Sequence, residues 1–415
     1  MNLFKYNRHW EKEYRYPYKK HRTIFTHLIN ALNTRQIVEI SGLRRTGKTT
    51  LLFQVLNHLI DQNKNPFSLW YFTFDEEKLP LDELLNSFSK QTQIDYKKEN
   101  IILFLDEIQK LPDFQNQLKV YYDLYPNLKF FISGSTSLFI KKKTQESLAG
   151  RIQSLFLTPL SFSEYLTFTN NSDILENPQL FKTEIDKSFE IFLTSQFIES
   201  LSMPDVNAKR DYYVGIIRKI VFEDVSSIFS VNNPEILWQI IRMIAQKPGM
   251  LIDYQNLANA IGISNKTVSS YLYYLEEAYL VKKMYNFSRN RITSEKKLKR
   301  YYLASPSFSW ALVDFIDTAP LVENLAASLK DFKFFWRDPY HHEVDFIEIE
   351  NNDLIVPVEI KYKEKIQPRD LKNLLLFAKK FSCKKVIIFK KGIEEKASLA
   401  ASDKVRIIEK PIYGI

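Results

Sequence analysis

The sequence predicts an α/β protein: an αβα core on a parallel sheet, then a helical connector, a helix-turn-helix segment and a second α/β domain. Three observations carry that expectation. Residues Gly42-Leu43-Arg44-Arg45-Thr46-Gly47-Lys48-Thr49 set two glycines five positions apart, followed by Lys and a hydroxyl residue. Short apolar runs at 68–73, 101–105 and 129–132 read as strands, the first apolar enough to be buried on both faces as parallel strands are. Beyond residue 233 the pattern shifts to short amphipathic helices, and then to strands in which charged and apolar residues alternate.

The loop comes first. Its glycines let the backbone wrap so that N–H groups point inward at phosphates. Lys48 is the residue type that neutralises β- and γ-phosphates, and the hydroxyl of Thr49 is suited to ligate Mg²⁺. Gln36 to Ile40 reads as the strand entering the loop. Lys48 to Ile60 reads as the helix leaving it, with Thr50 in its first turn and its N-terminus toward the anion. Only 9 glycines occur in 415 residues, and Gly42, Gly47 and Gly134 fall in or near this segment.

The strand Ser68 to Thr73 follows, and then Ile101-Ile102-Leu103-Phe104-Leu105, which ends in Asp106-Glu107. This is a Walker B pattern. Asp106 at the end of a buried strand suits a Mg²⁺ ligand, and Glu107 beside it suits orienting or deprotonating a water. The strand Lys129 to Ile132 runs into Ser133-Gly134-Ser135-Thr136-Ser137; Ser133 and Ser135 are both candidates for sensing a γ-phosphate. Glu146-Ser147-Leu148-Ala149-Gly150-Arg151 leads to a fifth strand near Ser154 to Leu157. Arg151 stands between two readings, a positive charge for the transition state and a structural ion pair.

Gly42 to Thr50, Leu105-Asp106-Glu107, Ile132 to Ser135, Leu148 to Arg151 and Pro159-Leu160-Ser161-Phe162 together resemble the AAA+-type P-loop ATPases of archaea and bacteria. The motifs stand in that family's order and the resemblance spans nearly the whole chain. It implies a P-loop NTPase core, ATP with Mg as cofactors, and a further C-terminal domain. It leaves open homo-oligomerisation, and with it whether Arg151 acts in cis or in trans. One departure is Leu201-Ser202-Met203-Pro204, where family members often carry paired glycines before a proline.

From about 161 to 232 the pattern is mainly helical, a lid or connector. Glu235 to Gln246 is an amphipathic helix stopped by Lys247-Pro248-Gly249. A second helix follows Asp253 as N-cap, Gly262-Ile263 makes the turn, and Ser264 caps a third helix with Val268, Leu272 and Leu275 on one face. Leu280-Val281 then opens a strand, giving a helix-turn-helix with a wing. The third helix offers Asn265, Lys266, Ser269, Ser270 and Tyr273 to a major groove. Between 282 and 300 stand Lys282, Lys283, Arg289, Arg291, Lys296, Lys297, Lys299 and Arg300, against Glu295 alone. Phosphate contact by Lys296, Lys297 and Arg300 is one reading, and a protein-interaction module with solvated lysines is the other.

Glu323 sits in a helix opening at Leu321, and 334–337 and 343–346 read as a hairpin. Leu354 to Lys361 is a third strand; Pro368 to Phe381 is a helix and 386–389 a strand. Alternation along the third strand puts Glu359 and Lys361 on one face. Helix Glu, then Asp345, then Glu359-x-Lys361 resembles the PD-(D/E)XK, restriction-endonuclease-like fold. That resemblance implies Asp345 and Glu359 as metal ligands, Glu323 as an auxiliary ligand and Lys361 as general base. A salt-bridge network on a retained fold is the alternative. His341 and His342 read as a turn.

Bulk properties bound the rest. A length of 415 residues suggests about two to four domains. The expected division is 1–160, 161–232, 233–305 and 306–415. With 45% hydrophobic and 26% charged residues the chain is globular, and a net charge of +9 favours an anionic partner, DNA first. Cys383 is the only cysteine, no apolar run precedes Lys5, Arg8 and Glu11, and no run is long enough to span a bilayer. These features predict a cytoplasmic protein with no membrane association. The function they predict is ATP hydrolysis governing C-terminal domains on DNA. An ATP-gated endonuclease and a non-cleaving regulator are the alternatives.

Overall fold

Parallel strands need crossovers, and the first unit supplies them by alternating apolar runs with amphipathic helices. The computed structural model describes residues 2–135, 148–350, 354–399 and 405–415. Thr136, Ser137, Glu146 and Ser147 of the expected motifs lie outside those residues. The chain divides into two compact units, Met1–Thr158 with Glu277–Tyr279, and Pro159–Glu276 with Leu280–Ile415.

In the first unit β1 (Ile37–Gly42), β2 (Leu69–Thr73), β3 (Ile101–Asp106), β4 (Leu128–Gly134) and β5 (Ile152–Leu157) form one parallel sheet in the order β2-β3-β4-β1-β5. Helices Lys48–Asp61, Leu81–Thr92 and Phe114–Leu124 connect the strands. The first of these buries Leu51, Leu52, Val55, Leu56 and Leu59. Because β4 lies between β1 and β3, the ends of all three strands converge on one edge, where the phosphate loop begins.

The exposed edge of β2 would present unpaired backbone groups. The N-terminal segment covers it with side chains. The Asn7 amide donates to Tyr71 O (3.0 Å) and accepts from Tyr71 N (2.8 Å), and Trp10 Nε1 donates to Leu69 O at 3.1 Å. His9 reaches the same carbonyl at 3.0 Å, and burial pushes its imidazole down to about 4.

The second unit carries a nine-stranded sheet. Its strands are β6 (Met250–Ile252), β7 (Val281–Asn286), β8 (Lys299–Leu303), β9 (Phe334–Arg337), β10 (Glu343–Glu350), β11 (Leu354–Lys361), β12 (Lys385–Lys390), β13 (Lys396–Leu399) and β14 (Arg406–Pro411). They are ordered β13-β14-β12-β11-β10-β9-β7-β8-β6. The join is the parallel pairing of β7 with β9, where Phe287 N donates to Phe335 O at 2.7 Å. The buried amide of Asn286 seals it, donating to Arg337 O at 2.9 Å and accepting from Arg337 N at 3.1 Å. The segments 233–305 and 306–415, expected as separate domains, therefore share one sheet. The helical stretch expected as a connector also packs here: Phe162, Tyr165, Phe189 and Phe192 share a core with Phe346, Val358 and Tyr413.

Helices Pro234–Gln246, Tyr254–Ile261 and Asn265–Glu277 lie close to their expected bounds. Asp253 accepts from Asn256 N at 2.9 Å, Gly262 takes φ +79°, and Ser264 Oγ accepts from Thr267 N at 3.0 Å. A short helix, Arg291–Lys296, stands within the expected wing. His341 has φ +63° and precedes β10 in a turn, as expected.

Candidate nucleotide site and the C-terminal carboxylate cluster

The loop between β1 and helix Lys48–Asp61 takes left-handed conformations at Arg45 (φ +67°) and Gly47 (φ +98°). A Cβ on Gly42 would stand 2.4 Å from the carbonyl oxygen of Leu157, so β5 leaves room only for glycine there. Thr46 Oγ1 donates to Leu43 O at 2.8 Å, closing the loop on itself. Lys48 Nζ donates to the carbonyls of Gly42 and Leu43, both at 3.0 Å. The side chain of Leu43 is buried, whereas Arg45 is exposed and Arg44, Thr49 and Thr50 are partly so.

Behind the loop stands a buried carboxylate held by hydroxyls. Asp106 Oδ2 accepts from Thr49 Oγ1 at 2.6 Å and from Tyr71 OH at 3.1 Å, and Oδ1 accepts from Ser133 Oγ. Burial and then the neighbouring charge of Glu107 push the Asp106 carboxyl up; the bonds from Ser133 and Thr49 and the charge of Lys48 oppose them. Glu107 has φ +51°, and its Oε2 accepts from Ser135 Oγ at 3.0 Å and Gln109 Nε2 at 2.5 Å. Ser133 thus bonds the Asp106 carboxylate and also accepts from Glu107 N at 3.4 Å, while Ser135 bonds the Glu107 carboxylate. Thr49 and Asp106 are the residue types that could hold Mg²⁺ beside a nucleoside triphosphate.

Arg151 pairs with Asp123 in two bonds, Nε to Oδ1 at 2.9 Å and NH2 to Oδ2 at 3.0 Å. In the register of β1 and β5, Ile37 faces Ile152 and Gly42 faces Leu157. Arg151 therefore stands at the opposite end of the strands, about 16 Å of extended chain from the loop. Here Arg151 stands in a structural pair with Asp123, away from the loop.

The residues expected at the C-terminal site also meet. Asp345 N donates to Glu359 Oε2 at 3.4 Å, Ile360 N donates to Asp345 Oδ2 at 2.9 Å, and Lys361 Nζ donates to Glu359 Oε1 at 2.6 Å. Arg300 enters from β8. Its guanidinium lies 3.4 Å from Glu323, 2.5 Å from Glu343 and 3.9 Å from Asp345. Tyr302 OH donates to Glu323 at 2.6 Å, and Arg337 pairs with Glu343 at 2.8 Å. Among the described residues no three His, Cys, Asp or Glu are arranged to hold a metal ion.

The geometry bears on three expectations. Glu323 and Asp345 lie against Arg300, and Glu359 pairs with Lys361. Burial alone would lower the Lys361 ammonium, but Asp345 and Glu359 reverse it and push it up. Arg300 is only 6% exposed and is occupied by carboxylates, so it does not face a phosphate backbone. Burial first, and then Asp345, pushes both Glu323 and Glu359 up.

On the helix Asn265–Glu277, Asn265, Lys266 and Ser269 are exposed, while Ser270 and Tyr273 are half-buried. The basic stretch after it turns largely inward. Lys282 Nζ donates to Lys330 O, Lys283 pairs with Glu276 at 2.7 Å, and Lys299 donates to Glu295 O at 2.6 Å. Lys297 is half-buried, and the side chains of Arg291 and Lys296 lie outside the description. Among the described residues no helix is long and apolar enough to cross a membrane.

Sequence reasoning passed over Tyr71, Gln109, Arg22 and Glu343. Arg22 donates to Thr46 O at 3.1 Å and to Thr158 O at 2.9 Å, bracing the loop from outside its motif. None of these belongs to a periodic pattern; only proximity in the fold reveals them.

Residues 34–166 match an AAA domain, 178–318 a domain of unknown function (DUF8612) and 321–409 another (DUF4143). An uncharacterized protein of Methanocaldococcus jannaschii is 27% identical over 372 residues, 85% of this chain and 81% of that protein. One of Haemophilus influenzae is 28% identical over 263 residues, covering 61% of this chain and 63% of its own length. AMPPCP-bound DnaA from Aquifex aeolicus overlaps 62% of this chain and 88% of its own at 15% identity, with a TM-score of 0.31, too slight a likeness to bear on function. The domain match and the loop geometry together support an AAA-type ATPase.

Proposed function

We propose that this chain is a Mg-dependent ATPase whose nucleotide state controls its C-terminal unit on DNA, which that unit binds and does not cut. The observation that carries the ATPase reading is the Thr49–Asp106 hydrogen bond at 2.6 Å, directly behind the phosphate loop. In this reading the backbone N–H groups of Gly42 to Thr50 receive the phosphates, and Lys48 supplies positive charge to them. Thr49 and Asp106 hold Mg²⁺, Glu107 takes a proton from the attacking water, and Ser133 and Ser135 fix the two acids. Bound Mg·ATP supplies the γ-phosphorus and a cation that offsets developing charge.

For the second unit we read the three helices and the β6-β8-β7 strands as a winged helix. The exposed Asn265, Lys266 and Ser269 support DNA contact. A non-cleaving role is supported by Arg300 amid the carboxylates of the nuclease-like segment.

Lys48→Ala is expected to abolish ATP binding. Glu107→Gln should keep binding and lose turnover by about 10²-fold or more. Normal hydrolysis by Glu107→Gln would remove Glu107 from this role. A duplex-DNA shift that weakens with salt and in Lys266→Glu would support the DNA reading. Mg²⁺-dependent cutting that vanishes in Asp345→Ala would contradict the non-cleaving one.

A further inference from the structure

A carboxylate that takes a proton in a reaction has to be held in one orientation by its neighbours. Gln109 is such a neighbour of Glu107. It lies in the short turn Ile108–Lys110 immediately after Glu107. Its Nε2 donates to Glu107 Oε2 at 2.5 Å and to Ser135 Oγ at 3.2 Å. Because an ionised carboxylate only accepts, those bonds fix the amide's orientation and leave Oε1 as the other atom. Oε1 is buried and has no hydrogen-bond partner among the described residues.

Ser135 Oγ donates to the same Glu107 Oε2 at 3.0 Å. Two donors therefore converge on one carboxylate oxygen, while Glu107 Oε1 accepts no hydrogen bond among the described residues. Glu107 Oε1 is thus the carboxylate oxygen left to accept from a water.

We propose that Gln109 is a positioning residue: its amide N–H holds Glu107 Oε2 and so leaves the other carboxylate oxygen for the attacking water. This rests on the ATPase reading above. In the step it serves, the water oxygen bonds to the γ-phosphorus and the bridging P–O bond breaks, its electron pair leaving with ADP. The water's proton passes to Glu107.

The test uses the full chain as wild type, Gln109→Leu, Gln109→Asn and Gln109→Glu. Binding of a non-hydrolysable ATP analogue and of ADP with aluminium fluoride is measured beside turnover. Gln109→Leu should bind the ATP analogue as the wild type does. It should lose affinity for ADP–aluminium fluoride and drop kcat about 10²-fold, the lower range for a positioned acid–base group, with KM little changed. Gln109→Asn, shorter by one methylene, should fall between. In Gln109→Glu a like charge beside Glu107 should move the acid limb of kcat to higher pH, a readout that mere loss of packing would not move. Wild-type turnover with an unchanged kcat and unchanged aluminium fluoride binding in both Gln109→Leu and Gln109→Asn overturns the proposal alone. A wild type that binds no nucleotide overturns the ATPase reading, and the proposal with it.

Discussion

Buried acids in the two units are neutralised by different means. In the first, Asp106 is surrounded by hydroxyls from Thr49, Tyr71 and Ser133, neutral donors that leave its charge in place. In the second, Glu323, Glu343 and Asp345 surround the guanidinium of Arg300, and Glu359 holds Lys361. A carboxylate held only by neutral donors still attracts a cation; a carboxylate against a guanidinium does not. Burial and then Glu107 push the Asp106 carboxyl up. The same acidic residue types therefore accept from hydroxyls in one unit and pair with cationic side chains in the other.

The sharpest break of this comparison is Arg300→Leu. It would leave buried carboxylates uncompensated and should destabilise the second unit by about 3–5 kcal/mol. Urea unfolding reports it, and a change below about 1 kcal/mol would mean that the network carries little. Asp106→Asn is the contrasting change. Removing a buried, raised carboxyl should leave the free protein unchanged or more stable by about 0.5–2 kcal/mol, while Mg-dependent nucleotide binding is lost.

Acidity separates the units more gently. Glu359 is raised from 4.5 to about 8 and Glu323 from 4.5 to about 7. Groups raised in the folded state contribute stability that is full below 4.5 and lost as pH rises through the folded values. The second unit should therefore weaken between about pH 4.5 and 8, and Glu359→Gln should flatten that slope. His9, lowered from 6.5 to about 4, acts in the other sense: its contribution is present above 6.5 and lost as pH falls through 4. Thermal unfolding from pH 4 to 8, with His9→Gln beside the wild type, measures both. The smallest effect belongs to Arg151→Ala, which should leave ATP binding unchanged, because the pair with Asp123 lies far from the loop.

The strands of the first unit were legible because each is a short apolar run, and the loop because its glycines and Lys48 follow a fixed spacing. Asp253, Gly262 and Ser264 likewise announced the helix ends they make. What escaped reading is long-range. The β7–β9 pairing rests on two register positions, Tyr285 with Phe334 and Asn286 with Phe335, and nothing local signals it. The same holds for Arg300, whose charge suggested a phosphate contact until the fold brought Glu323, Glu343 and Asp345 around it. Asn7, His9 and Trp10 cover β2 through single side-chain bonds, which follow no period.

The central claim is that the loop and Asp106 are completed by Mg-bound ATP. Equilibrium binding of a fluorescent ATP analogue, with Mg²⁺ and with chelator, compares wild type, Lys48→Ala and Asp106→Asn most directly. The account predicts Mg-dependent binding by the wild type and none by either variant. Binding by Lys48→Ala equal to the wild type, or a wild type that binds nothing, would contradict it.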